Sequence, residues 1–148
     1  MDIELPSDFK EFLKLLRSHG VRYLLIGGYA VIYYGNPRAT GDLDIWVALE
    51  PANADRIVAA LREFGFGTHE LTREMFLRRE NIVRMGNTPI RIEILTTISG
   101  VNFDDCYADR IETVIDGVEV SLIDVVNLKK NKRASGRFKD LADLEQLP

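Results

Sequence analysis

Residues 22–49 read RYLLIGGYAVIYYGNPRATGDLDIWVAL, and the architecture of the chain follows from how this run is parsed. Arg22 to Ile26 is a short aliphatic run, a strand that ends at Gly27-Gly28. Tyr29 to Tyr34 predicts a short helix, closed by Gly35 and Asn36-Pro37. Leu43 to Leu49 predicts a second strand with Asp42 and Asp44 at its mouth. On the N-terminal side, Phe9, Phe12, Leu13 and Leu16 recur at i, i+3, i+4 and i+7, an amphipathic helix with Ser7 as its cap and Gly20 as its stop. On the other side, Ala52 to Phe64 places Ile57, Ala60, Leu61 and Phe64 on one helical face and ends at Gly65. The first half of the chain is therefore αβαβα.

The second half is richer in strands. Asn81 to Met85 and Ile90 to Thr96 flank Gly86-Asn87-Thr88-Pro89, while Ile111 to Ile115 and Val118 to Ser121 flank Asp116-Gly117. Both patterns predict hairpins, which extend one mixed sheet or cap its edge. Leu122 to Ala134 and Phe138 to Leu147 predict two closing helices separated by Ser135-Gly136. The expected fold class is α/β (α+β), a mixed β-sheet packed with helices and finished by short C-terminal helices. No repeat or linker divides the chain, so residues 1–148 are expected to form one domain, with a core over about 21–121 and a C-terminal helical arm over about 122–148.

Composition narrows the field. The chain has 148 residues, 46% of them hydrophobic and 28% charged, the balance of an ordinary globular domain. No stretch approaches the ~18 uninterrupted apolar residues of a membrane span. The single cysteine, Cys106, excludes an internal disulfide, and Met1 to Pro6 lacks a secretory pattern, so a cytoplasmic location without membrane contact is expected. A net charge of -4 argues against a general nucleic-acid binder, but it averages two unlike parts. Six basic residues and no acidic one lie between Lys129 and Lys139, leaving 13 basic against 23 acidic residues elsewhere. A basic arm sits on an acidic body.

The spacing of Gly27-Gly28, thirteen residues, then Asp42-Leu43-Asp44 carries the chemistry. Residues two apart on a strand point to one side, so Asp42 and Asp44 present two carboxylates together while Leu43 and Ile45 face the core. Two such carboxylates repel unless a cation lies between them, and oxygen donors of this kind suit Mg²⁺. Glycines between strand and helix let a phosphate approach backbone amides. Farther on, Ile90, Ile92 and Ile94 alternate onto one face and leave Arg91 and Glu93 on the other, so Glu93 is a third carboxylate, a candidate metal ligand and general base.

Gly27-Gly28, Arg38-x-Thr40-x-Asp42-Leu43-Asp44, Ile92-Glu93-Ile94 and the tail Lys132-x4-Arg137-x2-Asp140-Leu141-x-Asp143-Leu144 together resemble the DNA polymerase β-like nucleotidyltransferase superfamily, and within it the minimal AbiEii, MenT and MNT-like proteins. The resemblance runs from Val21 to Leu147. It implies a palm-like mixed sheet and metal-dependent transfer of a nucleoside monophosphate (NMP) from a nucleoside triphosphate (NTP) to a hydroxyl acceptor: a tRNA 3′ end, a protein side chain or a small molecule. It further implies two Mg²⁺ or Mn²⁺ ions held by Asp42, Asp44 and Glu93, and triphosphate binding at Gly27 and Gly28. Arg38 and Thr40, on the loop before Asp42, suit phosphate contact, as do Lys132 and Arg137 of the family-like tail. A toxin-antitoxin partner or a homodimer fits the same resemblance. So does an alternative in which the chain is a catalytically weak, nucleotide-binding antitoxin or partner-binding module. Two residues depart from the commoner pattern: Gly28 stands where many members have Ser, and Glu93 where Asp is usual.

Several residues keep plainer readings. Trp46 shares the side of Asp42 and Asp44 by parity and either lines the cleft or packs the sheet. Tyr33 is expected in the core, with Tyr29 or Tyr34 placed to stack on a base. His19, His69 and Cys106 lack metal-ligand spacing and read as structural or surface residues. The pairs Asp104-Asp105 and Asp140/Asp143 are expected to cap helices or pair locally.

Overall fold

A computed structural model describes residues 3–87 and 90–148. The chain runs α1 (Ser7–Ser18), β1 (Tyr23–Ile26), α2 (Gly27–Tyr33), β2 (Asp42–Val47), α3 (Pro51–Phe64), a 3₁₀ turn (Arg73–Phe76), β3 (Ile82–Asn87), β4 (Ile90–Leu95), α4 (Phe103–Ala108), β5 (Ile111–Ile115), β6 (Val118–Leu122), α5 (Val125–Ser135) and α6 (Phe138–Gln146). The strands form one mixed sheet in the order β3-β4-β2-β1-β6-β5. The two hairpins, β3–β4 and β5–β6, extend the sheet at opposite ends. Thr88 and Pro89 of the first expected turn lie outside the described residues.

The core explains the order. Strand β1 is buried at all four positions because it sits between β2 and β6 and is covered on both faces. In α1, Phe9, Phe12, Leu13 and Leu16 are fully buried, and the helix packs on α3 through the predicted stripe. Strand β2 alternates, with Leu43 and Ile45 buried and Asp42 and Asp44 half-buried at its start. Asp116 and Gly117, with φ of 49° and 77°, make the two-residue β5–β6 turn, which needs two left-handed residues in succession. Among the described residues no helix is long and apolar enough to cross a membrane.

Several expectations change in detail. Ser7 is the first helical residue rather than the cap; the cap position is Pro6, which has no side-chain donor or acceptor to offer. Helix α2 begins at Gly27, so both glycines belong to its first turn. Leu122 ends β6 instead of starting a helix, because it pairs with Ile111. The helix begins three residues later at Val125, where the Asp124 side chain accepts a hydrogen bond from the Asn127 amide. Helix α4 was not legible as such; Asn102 caps it by accepting from the Asp105 amide.

Candidate active site

The site is built where three strands lie side by side. Strand β2 runs parallel to β4, and the register sets Asp42 opposite Arg91 and Asp44 opposite Glu93. Strand β3, antiparallel to β4, sets Arg84 opposite Glu93. Paired residues project to the same face, so the register alone gathers three carboxylates and two guanidinium groups into one patch. Asp42, Asp44 and Glu93 each bring a carboxylate oxygen within 4.8 Å of the others.

The charges are unevenly balanced. Arg91 Nη2 lies 3.1 Å from Asp42 Oδ2 and 3.2 Å from Glu93 Oε1, and Arg84 Nε donates to the same Glu93 oxygen at 3.0 Å. Asp44 makes no ion pair among the described residues. Burial, followed by the nearby charges of Glu93 and Asp42, pushes its carboxyl up to about 7, with Lys139 pulling slightly the other way. Three clustered acids, one of them with its carboxyl raised by burial and by the charges of the other two, are a donor set that a hard divalent cation satisfies. The residues therefore fit the metal that the sequence implies.

Gly27 fits tightly against this cluster. Its φ is 72°, and a Cβ there would run into the Asp44 carboxylate, so this position excludes a side chain on both counts. Gly28 is bare for a different reason: a Cβ would lie 2.6 Å from Thr40 Oγ1 and 3.0 Å from Arg38 Nη2. These two side chains cover it.

A cleft of about 570 Å³ opens over the carboxylates. Gly27, Asp42, Asp44, Glu93 and Arg84 form one wall, and the arm supplies the other through Lys132, Ser135, Arg137, Lys139 and Asp140. The basic arm thus meets the acidic cluster across a single space. Of the residues expected at the site, Gly28, Arg38 and Thr40 do not line this cleft. Thr40 instead borders a second depression of about 540 Å³, which shares Asp42 and Arg91 with the first. Arg84, Arg91 and Lys139 also line the cleft, though no motif in the sequence marks them as site residues. Arg91 stands two residues before Glu93, a usable signal, but Arg84 joins only through the hairpin register.

The arm differs from what its composition implied. The Lys132 side chain is only 5% exposed, and its Nζ lies 2.9 Å from Asp140 Oδ1 and 3.1 Å from Asp143 Oδ2. Arg38 Nη1 joins the same cluster at 3.3 Å from Asp143 Oδ1, tying the loop before β2 to α6. Burial would raise the Asp140 carboxyl, but hydrogen bonds from Ser135 and Lys132, with the Lys132 charge, hold it down at about 2. Lys132 is engaged by its own aspartates, whereas Arg137, 76% exposed, reaches Asp140 from the solvent side.

The aromatic expectations also resolve. Trp46 packs the sheet, buried with its ring edge-on to Phe103 at 5.2 Å. Tyr29 packs against Phe9 and borders the second depression, and Tyr34 donates its hydroxyl to the Ile123 carbonyl, so neither lines the main cleft to stack on a base there. Cys106 is fully buried, and burial pushes its thiol up to about 11, so it is protonated at neutral pH.

The six-stranded mixed sheet packed with helices is the fold of nucleotidyltransferase-like proteins. Two solved structures share it. A candidate nucleotidyltransferase from Thermotoga maritima superposes with a TM-score of 0.63 at 15% identity, covering 93% of this chain and 88% of that one. An antigenic nucleotidyltransferase-like protein from Paracoccidioides brasiliensis gives 0.54 at 17% identity, covering 95% and 76%. The family itself follows from the sequence match: residues 6–147 fit the model of the family described as nucleotidyl transferase of unknown function (DUF2204), and the chain belongs to it. No curated protein matches the chain.

Proposed function

We propose that this protein is a metal-dependent nucleotidyltransferase that moves NMP from an NTP to a hydroxyl acceptor, and that it belongs with the minimal AbiEii, MenT and MNT-like members of its superfamily. One observation carries the reading: Asp42, Asp44 and Glu93 converge within 4.8 Å on the wall of a cleft whose opposite wall is basic. The three carboxylates would hold Mg²⁺ or Mn²⁺, two ions in the full reaction. Bound there, the cations supply neutralisation of the triphosphate and acidification of the attacking hydroxyl. The protein's own groups do the rest by positioning. Arg84, Arg137 and Lys139 face the cleft and hold the phosphates. Gly27 leaves Asp44 room beside the substrate. The acceptor oxygen forms its bond to the α-phosphorus as the bond to pyrophosphate breaks, and the hydroxyl proton passes to Glu93. We place this activity in the cytoplasm, with a tRNA 3′ end, a protein side chain or a small molecule as acceptor, and with a toxin-antitoxin partner or a second copy as the associated protein.

The test is incubation with each α-labelled NTP and Mg²⁺ or Mn²⁺ against total tRNA and candidate proteins. Wild type should transfer label, and the Asp42→Ala/Asp44→Ala variant should lose about 10³-fold, ~4 kcal/mol of barrier. Label surviving in the double variant sinks the proposal.

A second reading has one observation in its favour. Arg91 and Arg84 already neutralise Asp42 and Glu93, as they would in a module that binds nucleotide without turnover. Its mark would be an NTP-dependent rise in melting temperature with no acceptor labelled.

A further inference from the structure

We infer that Arg91 is a displaceable counter-cation of the carboxylate cluster, which releases Asp42 and Glu93 when a divalent cation enters and turns its guanidinium onto the nucleotide phosphates. This rests on the proposed reading of Asp42, Asp44 and Glu93 as metal ligands.

The geometry argues for exchange rather than a fixed structural pair. A guanidinium has five N–H donors and is best satisfied by two parallel bonds to one carboxylate or phosphate. Arg91 makes neither pattern. Both of its ion pairs among the described residues run through one nitrogen, Nη2, to two different carboxylates, while its Nε is buried with no partner among those residues. That leaves donors unused beside two acids, the arrangement of a group held by charge and not by fit. Arg91 and Asp42 are each about one-third exposed, so that pair is in contact with water and contributes little to stability. The more buried Glu93, 14% exposed, would exchange one counter-charge for another when a cation enters. Giving up these pairs is cheap.

Competition then follows from which oxygens are taken. Asp42 Oδ2 and Glu93 Oε1 both accept from Arg91, and Glu93 Oε1 also accepts from Arg84. A cation bridging the cluster needs lone pairs on the same carboxylates, and its positive charge repels a guanidinium at that distance. Arg91 borders the main cleft and also the depression beyond Asp42. Released from the acids, it already stands beside the space for a polyanion, where two-point bonding to phosphate engages donors now idle. Metal and nucleotide would therefore bind cooperatively, since each stabilises the arginine position that suits the other. Arg84, 55% exposed and ion-paired with Glu93 alone among the described residues, competes less.

Mn²⁺ binding, read by electron paramagnetic resonance of the free ion without nucleotide, tests this apart from catalysis. Arg91→Gln should bind Mn²⁺ about tenfold tighter than wild type, and Arg84→Gln should change less. A non-hydrolysable NTP analogue should strengthen Mn²⁺ binding in wild type more than in Arg91→Gln. An arginine that only props up the site would weaken metal binding when removed, so unchanged or weaker Mn²⁺ affinity overturns the inference. If Arg91→Gln melts too low to titrate, Arg91→Met, which keeps the aliphatic stem and removes the charge, gives the same reading. Mn²⁺ binding that is absent from wild type and from the Arg91 variants sinks the metal reading itself, whereas binding lost in Asp44→Asn but not tightened by the Arg91 substitutions sinks only the displacement.

Discussion

Two acidic clusters face each other across the cleft, and they are built to opposite ends. On α5 and α6, Asp140 and Asp143 are buried around the Lys132 ammonium, with Ser135, Arg38 and Arg137 supplying further donors. On β2 and β4, Asp42 and Glu93 share two arginines at their edge, and Asp44 has no ion pair among the described residues. The first cluster is complete without a ligand, and its charges hold two helices and a loop together. The second is short of positive charge, and burial together with the neighbouring acids holds the Asp44 carboxyl up at about 7. Similar residue types are thus tied into the scaffold where cations outnumber them, and stay incompletely paired among the described residues where they outnumber the cations.

The largest effect expected from breaking this contrast is on stability. Lys132→Met leaves two buried aspartates facing each other and should cost about 3–5 kcal/mol in urea denaturation. A cost below ~1 kcal/mol would mean that the arm's cluster is no more structural than the other.

The pH dependence of the metal-free protein sharpens the comparison, because the two clusters titrate in opposite senses. Asp44 has its carboxyl raised to about 7, so between about pH 4 and 7 the folded state holds a proton that the unfolded chain has lost. Its contribution is present below pH 4 and is lost as the pH rises through 7. Asp140 sits at about 2, so its contribution is present above about pH 4 and is lost as the pH falls towards 2. Denaturation midpoints across pH 2–8 should show Asp44→Asn removing the neutral-side decline and Asp140→Asn flattening the acid-side one. Identical profiles for both variants would erase the distinction.

The smallest effect belongs to Arg137→Ala. That side chain is mostly exposed, so its ion pair with Asp140 should be worth less than ~1 kcal/mol. Its loss should instead weaken NTP binding several-fold in a thermal-shift titration. Stability falling as far as in Lys132→Met, with NTP binding intact, would assign Arg137 to the scaffold.

How much of this could be read from residue order differs element by element. Parity on β2 and β4 paired Asp42 with Asp44 and turned Glu93 away from the isoleucines, because alternation along a strand is a local property. The same rule could not say whether Trp46 lined the cleft, since that depends on Phe103, 57 positions away and on a helix that the pattern did not reveal. The run from Lys129 to Lys139 was legible as charge but not as disposition. Lys132 and Arg137 look alike in a composition count, yet one is buried between aspartates and the other faces solvent. Helix α5 was expected three residues early because Leu122 suits either element, and only its pairing with Ile111 decides for the strand.

The sequence by itself determined the αβαβα opening, the hairpins and which acids share a strand face, and it carries the resemblance to nucleotidyltransferases, because spacing, periodicity and turn residues act over a few positions. The tertiary structure alone decided which charges are free. It set β2 beside β4 in the register that places Arg91 against Asp42 and Glu93, and it closed the arm over Asp140 and Asp143. Whether a charge is matched depends on neighbours brought from elsewhere in the chain, and Coulomb attraction and desolvation follow distance in space rather than along the sequence.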